Sequence, residues 1–195
     1  LEAVRVRRNV AITFLVFMTM LVAGCGALTP TEKTDLEQNQ PSVDEPLTLA
    51  GISLGDSTDE VEQILGDDYR RETLHADGSW YGEKTACWYY GGDNIEIVIG
   101  EESGTVLQIN VYGEYATSAG DQVGDKADQV LPAYEEKYRL AKDHFEENDL
   151  PGWFVVEEGQ WLIFNFKDDG TLLNRSIAPD DKVESIHLVY EKFMH

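Results

Sequence analysis

Apolar side chains in residues 57–66 recur at helical spacing: Val61, Ile64 and Leu65 form an i, i+3, i+4 stripe. Before them, Ser57-Thr58-Asp59-Glu60 reads as a capping box, with Ser57 as N-cap and Glu60 reaching back, and Gly66 closes a short helix. The period then drops to two. Residues 85–90 are aromatic and β-prone, residues 94–99 place Ile95, Ile97 and Ile99 on one face, and residues 106–112 place Leu107, Ile109 and Val111 on one face. Gly91-Gly92-Asp93 and Glu102-Ser103-Gly104 between these runs read as hairpin turns. A second passage follows the same order. Pro132 predicts a helix that restarts near that residue and runs to about residue 147, burying Tyr134, Tyr138, Ala141 and Phe145. Strands over 152–156, 160–166 and 182–190 follow, with Leu162, Phe164 and Phe166 facing the helices and Asp168-Asp169-Gly170 as a turn.

The two passages share residues as well as order. At a constant offset of 69 the chain repeats Gly51/Gly120, Gly55/Gly124, Asp56/Asp125, Asp59/Asp128, Val61/Val130, Tyr69/Tyr138 and Arg70/Arg139. Unrelated segments of that length share roughly one or two identities at ordinary residue usage. Val106, Ile109 and Val111 also align with Val183, Ile186 and Leu188 if the second copy has a longer middle. The expectation is an α+β fold of two tandem helix-plus-antiparallel-strand repeats, residues 47–115 and 116–195, with the helices on one face of a curved antiparallel sheet. The pattern "apolar-x-Gly-Asp, then Val, then helix and strands" resembles the small envelope lipoproteins of the SmpA/BamE type and the tandem-repeat β-lactamase inhibitor proteins. That resemblance implies a curved sheet whose concave, aromatic-rich face grips a protein partner. The shared positions serve the turn, the cap and the core, and imply no catalytic residue.

The amino terminus has a different pattern. Arg5, Arg7 and Arg8 precede an uncharged apolar run over 10–23, short for a membrane span and suited to a secretion signal. Val22-Ala23-Gly24-Cys25 resembles the lipobox of bacterial lipoproteins, which implies removal of residues 1–24 and lipidation of Cys25. Two acyl chains there give a stable anchor. Residues 25–46 are then the lipidated cysteine and a polar tether that holds Pro30 and Pro41. The expected location is the cell membrane, lipid-anchored and facing outside the cytoplasm.

Charge narrows the partners. The net charge is −22, and without residues 1–24 the chain keeps 12 basic against 36 acidic residues, a balance of −24. Phosphate backbones are repelled by such a surface, so nucleic acid is excluded, while a basic protein partner is favoured. No phosphate loop or His-Glu-x-x-His pair is present, and His75, His144, His187 and His195 lack ligand spacing. No cofactor, metal or catalytic residue is therefore expected. Cys87, between aromatics, reads as a buried thiol.

Alternation selects the candidate binding face. If Ile109 and Val111 face the helices, Asn110 and Tyr112 face away; by the same count so do Trp161, Asn165 and His187. Tyr, Trp, Asn and His together suit contact with protein or saccharide. The expected function is a membrane-anchored, non-enzymatic binding module for a protein. A structural accessory of an envelope complex is the rival, and a saccharide-binding or hydrolytic domain comes third. The anchor has a direct test: Cys25→Ala abolishes incorporation of radiolabelled fatty acid, and label persisting in the variant refutes the lipobox.

Overall fold

The computed structural model describes residues 46–194 other than 79, 144, 146, 147 and 168. The expected signal, Cys25 and nearly all of the tether lie outside the described residues, as do His144 and His195. Helix α1 (Thr58–Leu65) is followed by strands β1 (Arg70–His75), β2 (Thr85–Tyr90), β3 (Ile95–Gly100) and β4 (Val106–Val111). Helix α2 (Ala127–Lys137) then leads into β5 (Arg139–Lys142), β6 (Asp149–Glu157), β7 (Gln160–Asn165) and β8 (Ser185–Tyr190), and a 3₁₀ turn, Glu191–Phe193, ends the described chain. Among the described residues no helix is long and apolar enough to cross a membrane.

The expected pair of helix-plus-strand repeats gives way to a single antiparallel sheet of eight strands, in the order β1-β2-β3-β4-β8-β7-β6-β5. Helix contributes 15% of the described residues and strand 40%, so the helices are two short additions to a sheet and not half of a two-layer repeat. The reason is the pairing of β4 with β8. Ile109 lies opposite Leu188 and Asn110 opposite His187, which continues the hydrogen-bonded ladder across the middle of the molecule. One core follows. Val61 of α1 and Val130 and Tyr134 of α2 pack with Ile97, Ile109, Phe154, Phe164, Ile186 and Leu188 from both sides of that seam.

Local chemistry sets the elements. Ser57 caps α1: its hydroxyl accepts from the Glu60 amide, and the Glu60 carboxylate accepts from the Ser57 amide at 2.8 Å. Those bonds hold the Glu60 carboxyl below its ordinary value. The two Gly-Asp turns are built alike. Gly55 N–H donates to Val106 O and Val106 N–H to Asp56 O; Gly124 N–H donates to Val183 O and Val183 N–H to Asp125 O. In each turn the aspartate accepts from the amide three residues earlier, Ser53 or Gln122, at 2.8 Å. Gly55 and Gly124 sit at φ +90 and +96, a region costly for other residues.

Two expected elements shift. Helix α2 starts at Ala127, not at Pro132, and ends at Lys137, ten residues short of the expected end. Tyr138 is already extended, and β5 then pairs along β6. Ala141 is consequently buried in a strand, while Phe145 is 90% exposed. A bulge in β4 changes the second. Val98 pairs with Gln108 and Ile99 with Val106, which leaves Leu107 as the extra residue, turned away from the helices toward Val98 and Phe193. Both sheet edges carry charge, Arg70, Arg71 and Glu72 on β1 and Arg139 and Lys142 on β5, which discourages edge pairing.

The long connection after β7 is fixed by one side chain. Asn174 accepts from Phe166 N–H at 3.0 Å and donates to Pro151 O and Phe164 O at 2.9 and 2.8 Å; the bonds to Phe166 and Phe164 are buried and the one to Pro151 partly so. A Cβ on Gly152, at φ +80, would lie 2.8 Å from both Asn174 Nδ2 and Phe164 O. Asn174→Ala removes bonds to three backbone groups, two of them in a buried setting, and lowers unfolding free energy by about 3 kcal/mol; Gly152→Ala costs about 1–3 kcal/mol. Urea titration measures both, and a loss under about 1 kcal/mol for Asn174→Ala contradicts this account.

Candidate functional site

The sheet face away from the helices carries one continuous row of side chains, Arg70–Tyr89–Glu96–Asn110–His187–Ile163–Trp153, each opposite the next across the ladder. Its centre is polar. Asn110 Nδ2 donates to Glu96 Oε2 at 3.3 Å, Gln108 Nε2 donates to Asn110 Oδ1 at 2.8 Å, and Tyr81 O–H donates to Gln108 Oε1 at 2.8 Å. His187 Nδ1 lies 2.8 Å from Asn110 Oδ1, and His187 Nε2 lies 2.8 Å from Ser185 Oγ.

Glu96 sets the direction of this network. An ionised carboxylate only accepts, so the Asn110 amide nitrogen faces it and the Asn110 oxygen faces His187. His187 therefore carries its proton on Nδ1, and Nε2 accepts from the Ser185 hydroxyl. Burial depresses the His187 pKa to about 4. Ser185, His187 and Asn110 have the connectivity of a nucleophile, a base and its orienting group. A base of pKa about 4 has little drive to take a proton from serine at neutral pH.

Two cavities open on this face. One, of about 450 Å³, is lined by Tyr112, Asn165, Thr171, Glu184, Ser185 and His187. The other, of about 380 Å³, is apolar, with Leu150, Trp153, Trp161, Leu172, Leu173 and Met194 on its walls together with Lys142 and Phe145. Leu172 belongs to both. The segment after β7 forms the shared rim: Leu172 O accepts from Trp153 Nε1 at 2.9 Å, and Thr171 O accepts from Asn165 Nδ2 at 3.2 Å. The Trp153 and Trp161 rings meet edge to face, with centroids 5.7 Å apart.

Of the five residues expected on an exposed face, Tyr112, Asn165 and His187 converge on one cavity, Trp161 lines the other, and Asn110 lies beneath His187. Only Tyr112 is open, at 43% exposure; Asn110, Trp161, Asn165 and His187 are buried. The face is right by alternation, but two later segments cover it. The Thr171-Leu172 rim closes over Asn165 and Trp153, and Phe193 of the terminal turn packs on Val98, Leu107 and Tyr81. Ser185, Glu184, Glu96, Trp153 and Leu173 were missed. Ser185 was accessible to sequence reasoning, because it shares period-2 parity with His187. Leu173 and Phe145 carried no such signal, since nothing periodic reports on loop residues.

Cys87 lies buried on the same face, and burial pushes its thiol up to about 11, so it is protonated at neutral pH. Among the described residues no three His, Cys, Asp or Glu are grouped to hold a metal ion. No protein-family model matches the chain, and no curated protein matches it. One solved structure is similar, that of an extracellular protein containing a SCP domain from Bacillus anthracis str. Ames, at 16% identity and a TM-score of 0.45. The match covers 71% of this chain and 44% of that one.

The buried imidazole makes stability pH-dependent. Its folded pKa lies below the ordinary value of 6.5, so between pH 6.5 and 4 the unfolded chain binds a proton that the fold excludes. Stability is full above about pH 6.5, falls through that window, and levels off below about 4, a total of roughly 3 kcal/mol from this group. His187→Gln removes that component. Urea midpoints at neutral and mildly acid pH show the variant losing less on acidification than the parent; equal losses contradict a buried neutral histidine.

Proposed function

We propose that this chain is a membrane-tethered, non-enzymatic binding module, facing outside the cytoplasm, that holds a protein partner on its helix-free sheet face. One observation carries the reading. Phe145, 90% exposed, and Leu173, 50% exposed, line the same apolar groove as Trp153 and Trp161. Large apolar side chains gathered around a concave apolar surface are an association hazard for a protein without a partner, and aromatic anchors in grooves dominate binding energy where one exists. The strongly acidic remainder of the chain speeds the approach of a basic protein and disfavours acidic ones. The anchor at Cys25 places the module at an envelope surface, which accords with the signal-like amino terminus.

Trp161 is a poor residue with which to test this, because it is packed against Trp153 and Val189 and its truncation costs about 3–5 kcal/mol of stability. Phe145 and Leu173 are the proper probes. A photo-crosslinking amino acid at Leu173 yields a discrete adduct in intact cells, Phe145→Ser diminishes it severalfold, and thermal stability changes little. The same crosslinker at Glu135, exposed on α2, yields none. Adducts of equal yield at both positions, or none at Leu173, refute the reading.

A further inference from the structure

The polar cavity beside the apolar groove is lined by hydroxyl groups whose protons are already committed. Tyr112 O–H donates to Glu96 Oε2 at 3.3 Å, and Thr171 O–H donates to Asp169 Oδ1 at 2.9 Å. Ser185 O–H donates to His187 Nε2 at 2.8 Å, the direction that Glu96 imposes through Asn110. Each hydroxyl therefore turns lone pairs, not a proton, toward a ligand. Glu184 adds an exposed carboxylate on the same wall. The half-exposed Tyr112 ring stands edge to face with His187, centroids 5.9 Å apart, leaving an aromatic surface on the cavity.

A wall of acceptors with one carboxylate and one aromatic ring selects a cation that only donates. Among side chains guanidinium fits best. It has five N–H donors and no acceptor, pairs with a carboxylate through two bonds, sheds water more readily than ammonium, and stacks on aromatic rings. We infer that this cavity receives the guanidinium of an arginine carried by the protein partner, with Glu184 as its charge partner and the Tyr112 ring as its stacking surface. The inference rests on the protein-binding reading above and specifies it. Because Leu172 borders both cavities, an arginine seated here places its sequence neighbours at the groove of Trp153 and Trp161, so the recognised segment pairs arginine with an apolar or aromatic residue. A cavity of about 450 Å³ accommodates one such side chain with its waters.

The test titrates the isotope-labelled full chain, in detergent micelles, with Nα-acetylarginine methylamide and follows the amide resonances of Thr171, Ser185 and His187. The lysine and citrulline analogues run in parallel; citrulline keeps the shape of arginine and lacks its charge. Saturable shifts at those residues are expected for arginine in the low-millimolar range, severalfold weaker for lysine and absent for citrulline. Glu184→Gln weakens arginine binding about tenfold and Tyr112→Leu about threefold. Both positions are open to solvent, so unchanged resonances elsewhere report an intact fold. Equal binding of citrulline, indifference to Glu184→Gln, or no saturable shift in the tens-of-millimolar range each overturns the inference. If the arginine probe fails while the Leu173 crosslink persists, the arginine pocket is wrong and the binding module stands. If the probe binds and the crosslink is absent, the arginine is not borne by a protein and that part of the inference falls.

Discussion

The pairing of β4 with β8 is the constraint on which the rest of this molecule depends. It joins four strands on one side to four on the other, and the register it adopts decides which side chains meet. With Ile109 opposite Leu188, both point into the core, and Asn110 and His187 meet on the other face. A slip of one residue would drive Ser185 and His187 into the apolar core and expel Ile186 and Leu188, which are fully buried. The two Gly-Asp turns reinforce the register, because one clamps Val106 at the start of β4 and the other Val183 just before β8, each through a reciprocal pair of backbone bonds. Core, polar network and both cavities thus follow from a single alignment.

The polar network shows how a sheet can carry uncharged polar residues at its centre without losing its fold. Asn110 and His187 are buried, and each unpaired polar group there would cost about 1–3 kcal/mol. They avoid that cost because Glu96, half-buried beside Asn110, fixes the donors and acceptors in sequence from Asn110 through to Ser185. The same ordering has a functional consequence. It turns the hydroxyl protons inward and leaves oxygen lone pairs at the cavity, so on the proposed reading the preference for a donating ligand arises from a carboxylate two strands away from Ser185. The chain's acidity adds long-range attraction, which salt screens within about 8–10 Å; the cavity adds short-range selection, which salt affects less.

Much of this was readable in the sequence where periodicity is strict. The capping box at Ser57, the alternation in β3, β7 and β8, and the repeated Gly-Asp turns each correspond to a local physical requirement. Reading failed where local preference and tertiary pairing disagree. The segment after Lys137 continues a helical pattern, yet it forms β5, because an edge of the sheet beside β6 offered more than a lone helix end. The repeated Tyr-Arg pairs at 69/70 and 138/139 both precede a strand, a cue that neither hydrophobic period exposes. Leu107 was misplaced by a bulge, which inverts parity for one residue and has no compositional signature here. The architecture was misjudged for a related reason. Counting repeated units says nothing about how much of each unit is helix, and here two short helices leave an eight-stranded sheet as most of the fold.

The covering of the helix-free face is what converts an aromatic surface into two recesses. Left bare, the row from Trp153 to Tyr89 would be a flat, partly apolar sheet, able to associate with many surfaces and to select none. The segment from Asp169 to Asn174 prevents that. Asn174 anchors its far end in the buried layer, Thr171 and Leu172 bond back to Asn165 and Trp153, and the strand face is divided at Leu172 into an acceptor-lined cavity and an apolar groove. Division imposes a spacing on any partner: a donor-bearing group and an apolar group must arrive together and at a fixed separation. Neither cavity alone needs to bind tightly for this to discriminate. Two weak sites on one rigid wall act on one segment as an intramolecular pair, so affinity multiplies only for partners that match both. On the proposed reading, specificity on this face resides in a connecting segment whose sequence shows no periodicity at all, held in place by a single buried asparagine.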